Sequence, residues 1–187
     1  MEEAEVQRRI RAALEGDPER FAPLVEAYTP ALFNLAAKMT GSRQEAEEIV
    51  QETFFRAYRS LGKFDGRTRF LSWLFGIAVN LCRDAGRRNR RADSALAVED
   101  LPDGTASPGS GPADERLAAR QEEARLRLCL LRLPEGQREA ILLRYQEELS
   151  LAEVADALRI GLSAAKMRIQ RGLGQLKLCL ERREAGS

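Results

Sequence analysis

Between Ser42 and Leu61, apolar or small residues recur at Ala46, Ile49, Val50, Thr53, Phe54, Ala57, Tyr58 and Leu61. This i, i+3, i+4, i+7 spacing predicts a helix with one buried stripe. Ser42 followed by Glu45 marks its start as a capping box. Phe55 falls outside the stripe: at about 100° per residue it points among Glu48, Gln51, Glu52 and Arg59. An aromatic side chain ringed by charges is a usual anchor for a partner protein, although a singly exposed ring or one covered by another segment of the chain fits the same pattern.

The same periodicity predicts a helix over Val6 to Leu14, and a second opened by Asp17 as N-cap with Pro18 at its first position, running through Phe21, Leu24, Val25, Tyr28, Leu32 and Leu35. After the loop 62–67, a further helix starts near Thr68 and buries Phe70, Trp73, Leu74, Ile77, Ala78, Leu81 and Cys82. Beyond it, residues 92–114 hold Pro, Gly and Ser without a sustained period and predict a flexible linker. Relaxed, it would span about 25 Å, and fully extended about 75 Å, so the flanking domains could sit far apart. Helices then follow from Arg116 to Leu133, from Pro134 through Ile141, Leu142 and Tyr145, from Ser150 with a second capping box at Glu153, and from Ser163 to about Leu180. The tight connection Arg159-Ile160-Gly161-Leu162 makes the last two a helix-turn-helix. Strand patterns are absent. The expected fold is therefore all-α: two small helical domains, residues 1–91 and 115–187, joined by a flexible linker, 92–114, with the helix-turn-helix in the second.

Composition narrows the functions available. The 187 residues contain no histidine, which removes the commonest general base and the commonest zinc ligand. No Gly-rich phosphate loop occurs. Cys82, Cys129 and Cys179 are far apart and fall among helical apolar positions, so they read as small core residues rather than a disulfide framework or a metal site. Neither a catalytic centre, a metal site nor a cofactor is expected. No apolar run approaches the roughly 20 residues needed to cross a bilayer, and Met1-Glu2-Glu3 lacks a signal peptide's basic and apolar regions, so a cytoplasmic protein without direct membrane insertion is expected.

The net charge is only +1, but the charges are segregated. Residues 83–91 carry five arginines against one aspartate, residues 166–183 six basic side chains against Glu181 alone, and the linker five acids with no base. On the last helix, Ala165, Ile169, Leu173, Leu176 and Leu180 form the expected buried stripe. Met167, Gln170 and Arg171 then point outward, with Lys166 and Arg168 on the flanks. Arg suits guanine, Gln suits adenine and Met can pack on a thymine methyl in a major groove, while flanking cations position the helix on phosphates. A solvated charged face is the bland alternative. On the Thr68 helix, Gly76, Asn80, Arg83, Arg87 and Arg90 lie opposite the core stripe, and the loop before it joins Phe64 to Lys63, Asp65 and Arg67, an aromatic among charges as in single-strand binders. By spacing alone Phe64 fits the core equally well, and Trp73 fits the core better.

Three stretches resemble the sigma factors of bacterial RNA polymerase, specifically the short extracytoplasmic-function group: residues 45–59, EAEEIVQETFFRAYR; residues 72–84, SWLFGIAVNLCRD; and residues 133–145, LPEGQREAILLRY. The resemblance covers nearly the whole chain. It implies a transcription initiation factor that binds core RNA polymerase, directs it to −10 and −35 promoter elements and promotes DNA melting, with no catalysis of its own.

Residue by residue, the resemblance implies that Glu48, Gln51, Glu52, Phe55 and Arg59 dock on the clamp of the largest polymerase subunit, and that the second domain meets the flap. Lys63, Phe64, Asp65, Arg67, Asn80, Arg83 and Arg87 would bind −10 DNA, duplex and single-stranded. Ser163, Lys166, Met167, Arg168, Gln170 and Arg171 would bind −35 DNA. It also implies an anti-sigma partner and a linker directed toward the RNA path, where its acids could mimic RNA. Three departures stand out: Gly76 where the family commonly has Arg, Arg159 at a turn position usually held by Gly, and Met167 for a small polar residue.

Overall fold

A computed structural model describes residues 1–92 and 113–184. Every regular element among them is helical. The linker expectation for 92–114 falls almost wholly outside the described residues.

In the first domain, α1 (Glu3–Leu14) leads through a 3₁₀ turn, Pro18–Phe21, to α2 (Ala22–Thr40), α3 (Arg43–Arg59), a second 3₁₀ turn, Leu61–Lys63, and α4 (Phe70–Ala92). Asp17 does not cap as its sequence position suggests. Its carboxylate accepts from Arg20 at 3.0 Å instead, and Pro18 opens the 3₁₀ turn rather than α2. α2 ends at Gly41, whose φ of 78° is the left-handed conformation glycine adopts without a Cβ clash.

The start of α3 is half a capping box. Ser42 Oγ accepts from the Glu45 backbone at 3.3 Å, while the Glu45 carboxylate turns away to accept from Asn89 of α4 at 2.6 Å. The stripe of α3 is buried as its spacing requires, from Ala46 through Ala57, and Leu61 follows it into the core. Thr53 is tolerated there because its hydroxyl donates to the Ile49 carbonyl at 2.6 Å, leaving no orphan polar group. Tyr58 is the exception: its ring packs on Phe21, with centroids 5.2 Å apart, but lies at the edge of the core and stays exposed.

The second domain comprises α5 (Ala113–Leu131), α6 (Glu135–Ile141), a π turn over Leu142–Gln146, α7 (Leu151–Leu158) and α8 (Leu162–Glu184). At Ser150 the capping box is complete: the hydroxyl accepts from Glu153 N at 3.2 Å and Glu153 Oε2 accepts from Ser150 N at 2.8 Å. Arg159 closes α7 in the left-handed region, φ 53°, a backbone conformation that costs a side chain with a Cβ about 1–2 kcal/mol. The helix-turn-helix thus forms with the strained turn its sequence implies.

Two expectations for α8 and the cysteines are corrected. The buried face of α8 is Ala165, Ile169 and Gly172, not Leu173, which is exposed. Gly172 lies so near Ile141 Cδ1 and Gln137 that any side chain would collide. And Cys129 of α5 is disulfide-bonded to Cys179 of α8, with their Cα atoms 5.8 Å apart. Helical spacing placed both on inward faces but cannot show that two helices 50 residues apart cross at those positions. Cys82 is free and buried, as expected.

The larger difference is the packing of the domains on each other. α7 lies along α4. A Cβ placed on Gly76 would come within 3.2 Å of the Ala157 carbonyl oxygen, so the two helix backbones approach as closely as a glycine permits. Ser72 donates to Glu153 at 3.0 Å, Arg83 makes two bonds to Glu139 at 2.6 Å, and Arg127 of α5 donates to the Gly41 carbonyl at 3.0 Å. Far from being spread apart, the domains share one buried seam, and α4 consequently buries Phe75 and Val79 in addition to its expected stripe.

Candidate nucleic-acid and partner interfaces

Three surfaces carry the residues singled out by the sequence, and they differ in how free they are. On α3, Glu48, Gln51, Glu52, Phe55 and Arg59 share the face turned away from the core. Phe55 is 55% exposed, with the Arg59 guanidinium 5.5 Å from its ring centroid. Glu52 accepts from Arg56 at 2.7 Å, and Gln44 approaches Glu48 at 3.4 Å. A cation over an exposed aromatic holds the ring in place while leaving its edge available, and these surface pairs contribute little to stability themselves. Among the described residues nothing buries this face: Glu48, Gln51, Phe55 and Arg59 are exposed and Glu52 is half-buried.

The second surface is the loop before α4 together with α4's outward face. Lys63 and Arg67 are exposed, and Asp65 accepts from the Arg67 backbone at 3.0 Å, a short turn that fixes the loop. Phe64 is not a free stacking platform. Its ring lies 5.2 Å from Phe70 and 5.3 Å from Trp73, so it is partly buried as one edge of the aromatic core, and Trp73 joins the same cluster. Asn80 donates to the Gly76 carbonyl at 2.9 Å and accepts from Arg83 at 3.3 Å. Arg83 is then committed to Glu139, whose side chain is 0% exposed; that pairing, ahead of the opposing effect of burial, raises the guanidinium pKa further. Arg87 pairs with Asp84 on the exposed side. The structure therefore gathers Asn80 and Arg83 on one face, as the helical spacing requires, but ties Arg83 to Glu139 of the second domain.

Sequence reasoning missed Ser72 and Glu139, and of Glu153 it found the cap but not the contact across the seam. Ser72, Gly76, Val79 and Arg83 form a second i, i+4, i+7, i+11 stripe on α4, and a small, then glycine, then apolar, then charged sequence along one line is the signal that marks a packed helix crossing. Glu153 does two jobs: it completes the α7 capping box and accepts from Ser72 across the seam, with Arg69 at 3.9 Å. Burial acts to raise its pKa, but the Ser150 backbone and hydroxyl, Ser72 and Arg69 outweigh it and hold the carboxyl below its ordinary value.

The third surface is the first half of α8. Ser163, Lys166, Met167, Gln170 and Arg171 are exposed, and Met167 is 48% so. Arg168 is half-buried and lies across the start of α6, against Gly136, so it is a flank residue rather than part of the open face. Ala165 and Ile169 anchor the opposite side in the core. A helix presented this way, two residues past a tight turn, offers a Lys, Met, Gln, Arg row of the width that a major groove admits. Among the described residues there is no cluster of side chains suited to a metal ion and no helix long and apolar enough to cross a membrane.

The chain is similar to known proteins over most of its length. Residues 24–92 match Sigma-70 region 2 and residues 123–176 match Sigma-70, region 4. The chain is 33% identical over 179 residues to the ECF RNA polymerase sigma factor SigW of Bacillus subtilis, covering 92% of this chain and 95% of the relative. It is 32% identical over 170 residues to the RNA polymerase sigma-H factor of Pseudomonas aeruginosa, covering 88% of each. The solved structure of CnrH in complex with the cytosolic domain of CnrY superimposes with a TM-score of 0.71 at 27% identity, covering 95% of this chain and 98% of CnrH.

Proposed function

Since the chain belongs to the sigma-70 family of RNA polymerase sigma factors, in its extracytoplasmic-function group, we propose a division of labour among the three surfaces in which α3 holds the polymerase, α4 and its loop hold −10 DNA, and α8 reads −35 DNA. The protein binds RNA polymerase and directs it to promoters for transcription initiation. RNA synthesis belongs to the polymerase, and this chain contributes recognition in the cytoplasm.

The observation that carries the reading is the outward face of α3. Phe55 and Arg59 stand uncovered beside Glu48, Gln51 and Glu52, which is the mixed aromatic and charged composition of a docking centre. Lys63 and Arg67, in the loop before α4, supply phosphate contacts, Asn80 and Arg83 lie further along the same helix, and Phe64 adds a ring only if it turns out of the aromatic cluster. Capture of unstacked bases there would favour melted over closed duplex; unstacking costs a few kcal/mol, which such contacts must roughly offset. The domain division 1–91, 92–114 and 115–187 belongs to the same proposal.

The packed seam sets a condition on this function. Arg83 cannot meet DNA while it is paired with Glu139 and α7 lies against Gly76, so α7 must leave α4 before the whole −10 surface works. α3 stays accessible throughout, which orders the events: polymerase docking first, separation of the domains next, DNA last. CnrH is solved in complex with the cytosolic domain of CnrY; for this chain an anti-sigma factor would act by covering Phe55 or by holding the seam closed.

Titration of the purified chain against core polymerase tests the reading. Phe55→Ala should weaken binding by at least about tenfold, the effect of losing a central aromatic anchor, while Arg171→Ala should leave core binding unchanged. Wild-type affinity for Phe55→Ala would refute the assignment of α3.

A further inference from the structure

We propose that Cys129 and Cys179 form a reversible oxidation site, closed by a peroxide and reopened by a dithiol, that fixes α5 to the tail of α8 and so firms the packed form of the two domains. The inference rests on the cytoplasmic sigma-factor reading: in a reducing compartment a disulfide is transient and regulatory rather than a permanent staple. The two sulfurs are bonded with Cα atoms 5.8 Å apart, central in the range a disulfide spans, so the packing of α5 on α8 places both cysteines at bonding distance.

The pair also sits where it matters. Up to Gly172, α8 is held by α6, with Gly172 against Ile141 and Gln137. Past that point Leu173, Gly174, Gln175, Lys177 and Leu178 face solvent. Among the described residues, α5 holds this tail by Arg125 donating to the Leu180 carbonyl and by the disulfide, and Leu176 is half-buried against the core. α5 in turn reaches the first domain through Arg127 and the Gly41 carbonyl. With the crosslink closed, the α4–α7 seam, the Arg83–Glu139 pair and the Arg127 contact all act from one rigid body. Opened, α5 can part from the tail, and the third contact no longer reinforces the other two.

The chemistry balances with one peroxide. Cys179, the more accessible of the two, loses its proton and attacks the peroxide, giving a sulfenic acid and, with that proton, water; the adjacent Cys129 sulfur then displaces the sulfenic hydroxyl, handing its own proton to the leaving oxygen, which departs as a second water. Two thiols are oxidised to one disulfide and hydrogen peroxide is reduced to two waters. A dithiol reverses the step through a mixed disulfide, leaving oxidised as its own internal disulfide. Cys82 is a built-in control: it is buried, and burial pushes its thiol up to about 12, so it has little thiolate to react.

Intact-mass and peptide mapping of the full chain, reduced and then treated with stoichiometric hydrogen peroxide, followed by hydrogen exchange, tests the proposal. Peroxide should remove two hydrogen atoms in mass and join the Cys129 and Cys179 peptides, and excess dithiol should reverse it. Exchange in 120–131 and 172–184 should be at least about tenfold faster in the reduced protein. Cys82→Ser should respond as wild type. Cys179→Ser should match the reduced form with or without peroxide, with Cys179→Ala as the second variant if serine disturbs folding. Failure of the reversible crosslink, or equal exchange in both forms, would overturn it. Neither readout uses polymerase or DNA, so this result and the test of core binding fail independently.

Discussion

Arg83→Ala and Glu139→Ala remove the same ion pair but should not have the same effect. The Glu139 side chain is 0% exposed and that of Arg83 24%, and two bonds of 2.6 Å join them. Removing Arg83 strands a carboxylate in the seam, a loss of about 3–5 kcal/mol. The carboxylate escapes that loss if the domains part and water reaches it. Removing Glu139 is milder, because the partly exposed guanidinium can turn to water, and about 1 kcal/mol is expected. Small-angle scattering and urea unfolding read the two outcomes: expansion from a packed radius of gyration of about 16 Å, or a fall in unfolding free energy of about 3–5 kcal/mol. Arg83→Ala should show one or the other, Glu139→Ala little of either, and the double variant should resemble Glu139→Ala. Equal effects of the two single changes, or a wild-type Arg83→Ala, would refute the argument that a buried carboxylate latches the seam.

Gly76→Arg, restoring the residue common in the family, cannot fit within 3.2 Å of the Ala157 carbonyl and should expand the free protein in the same scattering measurement while leaving α3 able to bind polymerase. Arg159→Gly should raise stability to urea by up to about 1 kcal/mol, since glycine relieves the left-handed strain at the end of α7 less its own chain entropy. Glu153 has a lowered pKa, so its contribution is complete above its ordinary value of 4.5 and is lost as pH falls through the lower folded value. Glu147, raised by burial first, works in the opposite direction and favours the protonated form. Glu153→Gln should therefore remove part of the acid-side loss of stability in urea midpoints followed from neutral pH downward, and an unchanged acid limb would contradict the role given to its hydrogen bonds.

Much of this was legible in the chain because helical period and capping chemistry are local. Ser150 with Glu153 wrote its cap completely, and the position of Phe55 against the α3 stripe predicted its exposure. What failed depended on partners distant in sequence. Glu45 was expected to close its own cap, but Asn89 competes for its carboxylate. Phe64 had two readings until Phe70 and Trp73 were seen to enclose it. Gly76 was placed on the face of α4 opposite the core stripe, and the backbone of α7 packs against it there. A single stripe was assigned to α4 where there are two, since the second carries only small, polar and charged side chains apart from Val79 and has no hydrophobic signature. Likewise, cysteine spacing cannot report which helices cross.

Core polymerase supplied with this chain and fragmented bacterial DNA, with the 5′ ends of the RNA sequenced, tests the central claim most directly. The account predicts discrete start sites preceded by a shared two-part motif, abolished by Phe55→Ala and reduced by Asn80→Ala or Arg171→Ala. Start sites identical to those of core polymerase alone, with a control sigma factor active in the same preparation, would contradict it.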